Sequence, residues 1–297
     1  MKVTGGEGGK ILALKIAKYL DTEYIDTLSR TFPDGEIYVR VMGSVKGEDV
    51  ILVQSMGKKP NKLLIEYLLI ADTLKDLGAR NIIAVIPYLP YARQDARFNP
   101  GEAVSIKTVS KLIEKVGVSA VITVDMHLHR FKSIQAIFSV PAYNLSAMGL
   151  LAEYTASEFG LSKPLVAGPD EEAEQWAKIA ANALQSDYLV LGKTRRGDYE
   201  VEIRGKSLAV VQARDVLIVD DIISTGGTMA KAVEALKTAG AKRILAACTH
   251  PLLIEDALYK VLSAGAEAVV GTDTVPSPIS FVSVAPLIAS FLKETVL

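Results

Sequence analysis

The chain has 297 residues, a formal net charge of −1 at pH 7 and 49% hydrophobic residues. This length allows one large or two ordinary domains, and the balanced charge gives no electrostatic reason to expect nucleic acid or a membrane as a partner. The single cysteine, Cys248, excludes an intramolecular disulfide. No apolar run reaches the length of a membrane span, about 18 residues, and no signal peptide is recognised, so we expect a cytoplasmic protein.

Apolar runs alternate with helical patterns along the chain, after a glycine-rich turn at 5–9 that leads into a helix over 10–20. Strands separated by helices predict parallel sheets. The predicted strands are 49–54, 81–87, 120–124, 165–167, 188–191, 216–219, 243–248 and 268–271, and the predicted helices between them include 61–77, 103–115, 171–183 and 228–239.

The chain contains two segments with a common outline, 120–127 and 215–221. Each is an apolar strand that ends in an acidic residue. This repeat predicts two related α/β domains with a boundary near Pro141, so that the domains are 1–140 and 141–297. The last helix of the second domain could pack back on the first.

The common glycine-rich nucleotide loops are missing. Two segments end in Gly-Lys-Thr or Gly-Lys-Ser, at 192–194 and 205–207, but Asp187 and Glu200 stand where the first glycine of a Walker A loop is needed. The glycines at 5–9 do not have the dinucleotide-binding spacing. If ATP binds to this protein, it binds without these loops.

An exposed turn is predicted at Phe32-Pro33-Asp34-Gly35-Glu36, because proline and glycine favour a turn. Its aromatic ring could stack on a nucleobase, and its carboxylates could accept hydrogen bonds from an exocyclic amine. A solvated turn with no ligand is the structural alternative.

Polar residues follow several predicted strands, at the end where open α/β sheets bind ligands. The loop at 87–97 carries Arg93 and Arg97, which could contact phosphate or base, and Asp125 precedes His127, which could contact phosphate or a metal. The spacing of His127 fits no closed zinc site. Asp170 follows the strand 165–167, and the basic segment 193–199 is either a ligand loop or a solvated hairpin.

The segment from Val216 to Thr228 is the most informative in the chain. Four apolar residues deliver Asp220 and Asp221, and a short loop of hydroxyls and glycines then leads into a helix with Met229, Val233 and Leu236 on one face. The N–H groups of a helix N-terminus favour an anion. We therefore predict a phosphate on the loop and sugar hydroxyls or a hydrated cation on the carboxylates.

This segment resembles the phosphoribosyl-pyrophosphate loop of type I phosphoribosyltransferases and of ribose-phosphate pyrophosphokinase. The resemblance to the ribose-phosphate pyrophosphokinase family runs from about Arg30 to the carboxyl end. The segments that carry it, in this order, are 32–36, 71–74, 86–95, 125–127, 168–170, 193–195, 219–228 and 271–276.

The resemblance implies two tandem α/β domains of the type I phosphoribosyltransferase-like fold, each a mostly parallel sheet flanked by helices. The first would bind ATP and the second ribose 5-phosphate, and the reaction would yield 5-phosphoribosyl 1-diphosphate and AMP for nucleotide biosynthesis. The family further implies Mg²⁺ as cofactor and a homo-oligomer, at least a dimer, whose active site is shared between subunits.

The resemblance also implies roles for individual residues. Lys193 and Arg195 would be catalytic, on a loop that closes over the transferring group, and His127 and Asp170 would lie at the Mg²⁺–ATP site. The residues expected to bind ATP are Phe32, Asp34, Glu36, Arg93, Gln94 and Asp95, and those expected to bind ribose 5-phosphate are Asp220, Asp221, Ser224, Thr225, Gly226, Gly227 and Thr228.

The chain departs from the commonest bacterial pattern at several positions. Ser224 and Gly226 stand where that pattern tends to have Asp and Ala, and the stretch 128–132 after His127 is longer and more basic. These changes leave the reaction intact but put regulation by phosphate and ADP in doubt.

Two other functions share part of the pattern. A phosphoribosyltransferase would have the 220–228 loop but would not need 32–36 or 91–95. A non-catalytic homologue would be expected to lose the basic segment, yet Lys193 and Arg195 are present.

Overall fold

The computed structural model describes residues 1–128, 130–131, 133–192 and 210–296. These residues form two compact units. Unit 1 combines residues 1–145 with the chain from Val284 onward, and unit 2 covers 146–283. No helix in the described ranges has the length and hydropathy that crossing a bilayer requires.

Unit 1 is built on a six-stranded sheet with the strand order β2-β1-β5-β6-β7-β8. Every neighbouring pair in this sheet is parallel, and β3 and β4 form a separate antiparallel hairpin. The strands are β1 (Lys2–Gly5), β2 (Glu23–Ile25), β3 (Thr27–Thr31), β4 (Ile37–Val41), β5 (Asp49–Val53), β6 (Asn81–Val85), β7 (Ala120–Val124) and β8 (Ala142–Leu145), and the helices between them are α1 (Lys10–Leu20), α2 (Pro60–Asp76) and α3 (Ser105–Lys115).

Unit 2 repeats this plan with the order β10-β9-β11-β12-β13-β14, again with parallel pairs throughout. Apolar layers cover both faces of its sheet, which explains the continuous apolar runs of its strands. The helices are α4 (Met148–Glu158), α5 (Glu174–Leu184), α6 (Gly227–Thr238) and α7 (Ala257–Ala264), and the strands are β9 (Leu165–Gly168), β10 (Tyr188–Val190), β11 (Asp215–Ile223), β12 (Arg243–Pro251), β13 (Ala268–Thr272) and β14 (Ser280–Val282).

The shared strand order confirms that the two sheets are related. It also shows that the two segments compared in the sequence, 120–127 and 215–221, do not occupy equivalent positions. The segment 120–127 contains β7, the fifth strand of its sheet, whereas 215–221 lies in β11, the third strand. The counterpart of β11 in unit 1 is therefore β5. An apolar run followed by an acidic residue indicates the end of a strand, but it does not indicate the position of that strand in the sheet.

Unit 1 is completed by a helix from a second segment of the chain. After β8 the chain enters unit 2, where α4 packs beside α5, and after β14 it returns to unit 1 as α8 (Ala285–Phe291), which packs beside α1. The ring of Phe291 at the end of α8 lies 4.9 Å from the ring of Tyr143 in β8. Unit 1 is thus discontinuous in sequence, whereas unit 2 is one continuous segment.

Candidate active site

The third strand of unit 2 leads directly into an open helix N-terminus. β11 is longer than predicted and runs to Ile223, because its last residues pair in register with His250 and Pro251 of β12. Asp220 and Asp221 therefore lie within the last part of the strand. Ser224, Thr225 and Gly226 then connect β11 to α6, which begins at Gly227.

The adjacent residues Gly226 and Gly227 are in different surroundings, so glycine serves a different purpose at each position. Gly226 has φ +77°, and a Cβ added there would lie 2.6 Å from the carbonyl oxygen of Ala257. Both facts require glycine. A Cβ on Gly227 would meet nothing within 4 Å, so this residue borders open space where a ligand can approach the backbone.

The loop has the donors that an anion needs. Its N-cap residue is Gly226, which has no side chain to accept from the N–H groups of the first helical turn. Ser224 and Thr228 are half-buried and Thr225 is exposed, so hydroxyl groups surround the helix start. The neighbouring segment fixes the loop, since the Ile254 N–H donates to the Ser224 carbonyl oxygen at 2.9 Å.

Three carboxylates gather beside this loop. The Asp221 N–H donates to Oδ1 of Asp220 at 2.9 Å. Burial, followed by the charges of Asp221 and Asp170, raises the pKa of Asp220 well above its ordinary value of 3.8. Asp170 caps the short helical turn after β9 by accepting from the Glu172 N–H at 3.2 Å. A bound cation would relieve this accumulation of negative charge.

The oxygen donors of Asp170, Asp220 and Asp221 suit Mg²⁺, which prefers carboxylate, carbonyl and water oxygens. Within the described part of the chain, no group of three or more His, Cys, Asp or Glu side chains is arranged to hold a metal by itself. This is compatible with Mg²⁺, which commonly takes one or two carboxylates together with substrate phosphates and waters.

The predicted metal residues His127 and Asp170 belong to different units. His127 is half-buried and follows β7 in unit 1, while Asp170 follows β9 in unit 2. Asp125, at the end of β7, is fully buried and has φ +38°, an uncommon backbone conformation for a residue other than glycine.

The loop after β6 contains three of the predicted ATP residues of unit 1, and each is in a different environment. Arg93 is exposed, and the half-buried Gln94 accepts through Oε1 from the Ser105 hydroxyl at 2.7 Å. Asp95 is buried, and its Oδ1 atom lies 2.7 Å from Nη1 of Arg130. Of the three, Arg93 is the one that presents its side chain to solvent.

The turn at 32–36 forms the tip of the β3–β4 hairpin, as predicted. The Phe32 N–H donates to the Glu36 carbonyl oxygen at 2.7 Å, and Oδ1 of Asp34 accepts from the Glu36 N–H at 3.1 Å. The Phe32 ring stands edge-on to the Tyr38 ring at 6.2 Å, and the Arg30 guanidinium lies 4.9 Å from both rings. The tip is exposed, so its aromatic ring and carboxylates can reach a ligand.

Sequence reasoning missed Arg130, which contacts Asp95; the basic stretch at 128–132 was the available signal. It also missed Glu66, a fully buried carboxylate on α2, for which an apolar helix pattern gives no signal. The predicted catalytic residues Lys193 and Arg195 lie outside the residues that the structure describes.

Comparisons with known proteins cover both units. Residues 1–117 match the N-terminal domain of ribose phosphate pyrophosphokinase, and residues 133–261 match the phosphoribosyl transferase domain. A ribose-phosphate pyrophosphokinase of Methanothermobacter thermautotrophicus is 41% identical over 98% of this chain and 100% of its own length. Ribose-phosphate pyrophosphokinase 1 of Archaeoglobus fulgidus is 42% identical over 98% of this chain and 99% of its own length.

A solved structure matches nearly the whole chain. Phosphoribosylpyrophosphate synthetase from Mycobacterium smegmatis superposes with a TM-score of 0.86 at 31% identity, over 98% of this chain and 97% of that one. The predicted fold class is therefore confirmed. On sequence and structure alike, the chain belongs to the ribose-phosphate pyrophosphokinase family.

Proposed function

We propose that the chain is a ribose-phosphate diphosphokinase in which unit 2 binds ribose 5-phosphate and unit 1 binds ATP. The reaction transfers the β,γ-diphosphoryl group of ATP to the C1 hydroxyl of ribose 5-phosphate. The products are 5-phosphoribosyl 1-diphosphate, a precursor in nucleotide biosynthesis, and AMP. The observation that supports this division best is the open β11–α6 junction with its adjacent carboxylates.

In unit 2 the 5-phosphate binds at the start of α6. The N–H groups of Gly226, Gly227 and Thr228, with the hydroxyls of Ser224, Thr225 and Thr228, supply donors, and the positive end of the helix dipole favours the charge. Asp220 and Asp221, on the strand just before the loop, accept from the ribose hydroxyls. The phosphate therefore fixes one end of the sugar and the carboxylates orient the rest.

The chemical step is an attack of the anomeric hydroxyl oxygen on the β-phosphorus of ATP. The new bond joins C1–O to the β-phosphorus, the bond from the β-phosphorus to the α,β-bridging oxygen breaks, and AMP leaves with that oxygen. The proton of the attacking hydroxyl is released to solvent. Such reactions depend mainly on positioning and on stabilising charge.

Mg²⁺ is the cofactor in this proposal, held by Asp170 and His127 at the ATP phosphates and by Asp220 and Asp221 at the ribose. When bound, it would neutralise phosphate charge and polarise the transferred group. The raised pKa of Asp220 supports this assignment, because a nearby cation would stabilise the ionised carboxylate.

In unit 1 the loop after β6 holds ATP through Arg93 and Gln94, with Asp95 supporting the loop from inside. Phe32, Asp34 and Glu36 close around adenine from a neighbouring subunit. The exposure of the hairpin tip in the single chain supports this arrangement, which requires a homo-oligomer of at least two subunits.

Lys193 and Arg195 complete the proposal as the cations that stabilise charge on the diphosphoryl group. This role rests on the sequence alone. We expect the enzyme to work in the cytoplasm, where ATP and ribose 5-phosphate are available, with no nucleic acid or membrane partner.

The direct test is to incubate the protein with Mg²⁺, ATP and ribose 5-phosphate and to measure AMP and the diphosphorylated sugar. We expect both products in equal amounts, and neither when Mg²⁺ is removed by a chelator. A phosphoribosyltransferase would form no AMP from these substrates. Absence of AMP would therefore refute the proposal.

A further inference from the structure

A buried carboxylate anchors the loop after β6. The side chain of Asp95 is 2% exposed, and its Oδ1 atom accepts from Nη1 of Arg130 at 2.7 Å. Its second oxygen, Oδ2, is buried and accepts no hydrogen bond from the described residues. Among the described residues, Arg130, which comes from the segment after β7, forms the ion pair with Asp95.

The same guanidinium makes a second contact with this loop. Cζ of Arg130 lies 4.7 Å from the centre of the Phe98 ring, a cation–π distance. The backbone next to the ring is also fixed, because the N–H groups of Phe98 and Asn99 donate to Oε2 of Glu102 at 2.8 and 3.1 Å. Arg130 thus contacts the loop at two points, the buried carboxylate of Asp95 and the ring of Phe98.

Arg130 connects two of the loops of unit 1 that carry proposed ligand residues, the loop after β6 and the loop after β7. Asp95 lies two residues after Arg93 and next to Gln94, and Arg130 lies three residues after His127. We propose that Arg130 is a positioning residue for the ATP site, which acts by holding Asp95 and thereby fixes Arg93 and Gln94 relative to His127. This inference rests on the proposed binding of ATP to unit 1.

The physical reason is the cost of an unpaired buried charge. Without Arg130, the buried Asp95 carboxylate would lose its charged partner, and the loop would have to move to bring it to water. Loss of loop geometry weakens ATP binding and misplaces the reacting groups, whereas the ribose 5-phosphate site lies on elements of unit 2. The effect should therefore be selective for one substrate.

The test compares three single variants. Arg130→Met removes the charge but keeps the length of the side chain, and Arg130→Lys keeps a cation that can reach Asp95. Arg80→Met is the matched control, because Arg80 also pairs with an aspartate, Asp49, but at the amino ends of β5 and β6. For each variant, kcat and the KM for each substrate are measured, together with the midpoint of thermal unfolding.

We expect Arg130→Met to raise the KM for ATP by roughly 10-fold to 100-fold, the size of effect that follows loss of positioning. The KM for ribose 5-phosphate should stay unchanged, Arg130→Lys should restore most of the ATP affinity, and Arg80→Met should behave as wild type. Adding Asp95→Asn to Arg130→Met should recover part of the lost thermal stability, because the unpaired charge is then gone.

An unchanged KM for ATP in Arg130→Met would overturn the inference, as would an equal rise of both KM values. The thermal part separates this result from failure of the proposed function. If wild type forms no AMP, the proposed function fails, and the thermal cycle of Arg130→Met with Asp95→Asn still decides whether the pair holds the loop. Additive thermal effects in that cycle would reject the pair.

Discussion

The same position in the two sheets is used in opposite ways. In unit 2, β11 leads into the open Gly226–Gly227 loop and α6. In unit 1, the corresponding strand β5 leads into α2, and the space beside this connection is filled by the carboxylate of Glu66. Both oxygens of Glu66 accept from the Glu7 N–H, at 3.1 and 3.2 Å. Oε2 of Glu66 also accepts from Nε2 of Gln54 at 2.6 Å.

The first loop of unit 1, which contains Gly8 and Gly9, also packs closely against the end of β5. A Cβ on Gly8 would lie 2.0 Å from the Ser55 carbonyl oxygen, and one on Gly9 would lie 2.2 Å from that of Val53. These glycines allow the first loop to pack tightly against the end of β5, and they leave no opening like that at Gly227. The difference teaches that one topology can leave the end of this strand open, where we propose an anion site in unit 2, or fill it with an internal carboxylate. Unit 1 then carries its proposed ligand residues on other loops.

The largest expected effect concerns the segment that precedes the third strand of each sheet, which runs from β2 to β5 in unit 1 and from β10 to β11 in unit 2. In unit 1 this segment contains the β3–β4 hairpin, and in unit 2 it contains Lys193 and Arg195. We predict that Lys193→Ala lowers kcat by roughly 10²-fold or more, as loss of a charge contact in the transition state can. Steady-state kinetics with both substrates measures this, and unchanged turnover would exclude a catalytic role for the segment.

The two glycines of the unit 2 loop give a matched pair. Gly226→Ala should lower the free energy of unfolding by about 2–5 kcal/mol, because it combines a left-handed backbone with a clash against Ala257. Gly227→Ala should leave stability near wild type but raise the KM for ribose 5-phosphate, since the methyl group enters the open space. Denaturant unfolding and kinetics separate the two. Equal stability losses would show that the loop is packed, as in unit 1.

Asp221→Asn tests the two adjacent carboxylates at the end of β11. We expect the KM for ribose 5-phosphate to rise about tenfold, which corresponds to ~1.4 kcal/mol of lost binding, while the protein stays folded. Asp215→Asn, at the other end of β11, is the control and should leave this KM unchanged. Indistinguishable KM values for the two variants would refute the assignment of Asp221.

The raised pKa of Asp220 predicts a specific pH dependence. In metal-free buffer, Asp220 keeps its proton to a higher pH in the folded protein than in the unfolded chain. The free energy of unfolding therefore falls as the pH rises from 3.8 through the raised pKa of Asp220. Each unit of pKa shift corresponds to about 1.4 kcal/mol. Asp220→Asn should remove this part of the decline, as measured by denaturant unfolding against pH. A wild-type profile in the variant would contradict it.

The smallest kinetic effect is expected for Glu66→Gln. The change replaces one of the two acceptor oxygens by a donor, so the free energy of unfolding should fall by about 1–3 kcal/mol with both KM values unchanged. Glu267→Gln removes an exposed partner of Arg243 and should cost less. A selective change in one KM of Glu66→Gln would mean that this place in unit 1 still binds a ligand.

Local patterns predicted the parts of the site that local chemistry dictates. Gly240 directly follows the predicted helix 228–239, where glycine commonly ends a helix, and it has φ +85° two residues after α6 ends. The buried face of α6 and the turn at 32–36 were also predicted, because periodicity and turn residues act over a few positions.

Features that depend on distant partners were not predictable in this way. The length of β11 depends on pairing with β12, and the equivalence of β11 with β5 depends on strand order, which a short apolar pattern does not encode. Asp95 was predicted to contact ATP by resemblance, but its burial against Arg130 joins residues 35 positions apart in sequence. Its proposed contribution to ATP binding is therefore indirect.

The division of unit 1 into two segments bears on how the chain can fold during synthesis. The ribosome releases β1 to β8 long before α8, so the face of unit 1 beside α1 stays uncovered until residues 285–291 emerge. Ile288 and Ala289 of α8 are buried in the folded protein, which means that this face is closed only after unit 2 has been synthesised. Unit 2, by contrast, is one continuous stretch of the chain. Unit 1 is thus begun before unit 2 and completed after it.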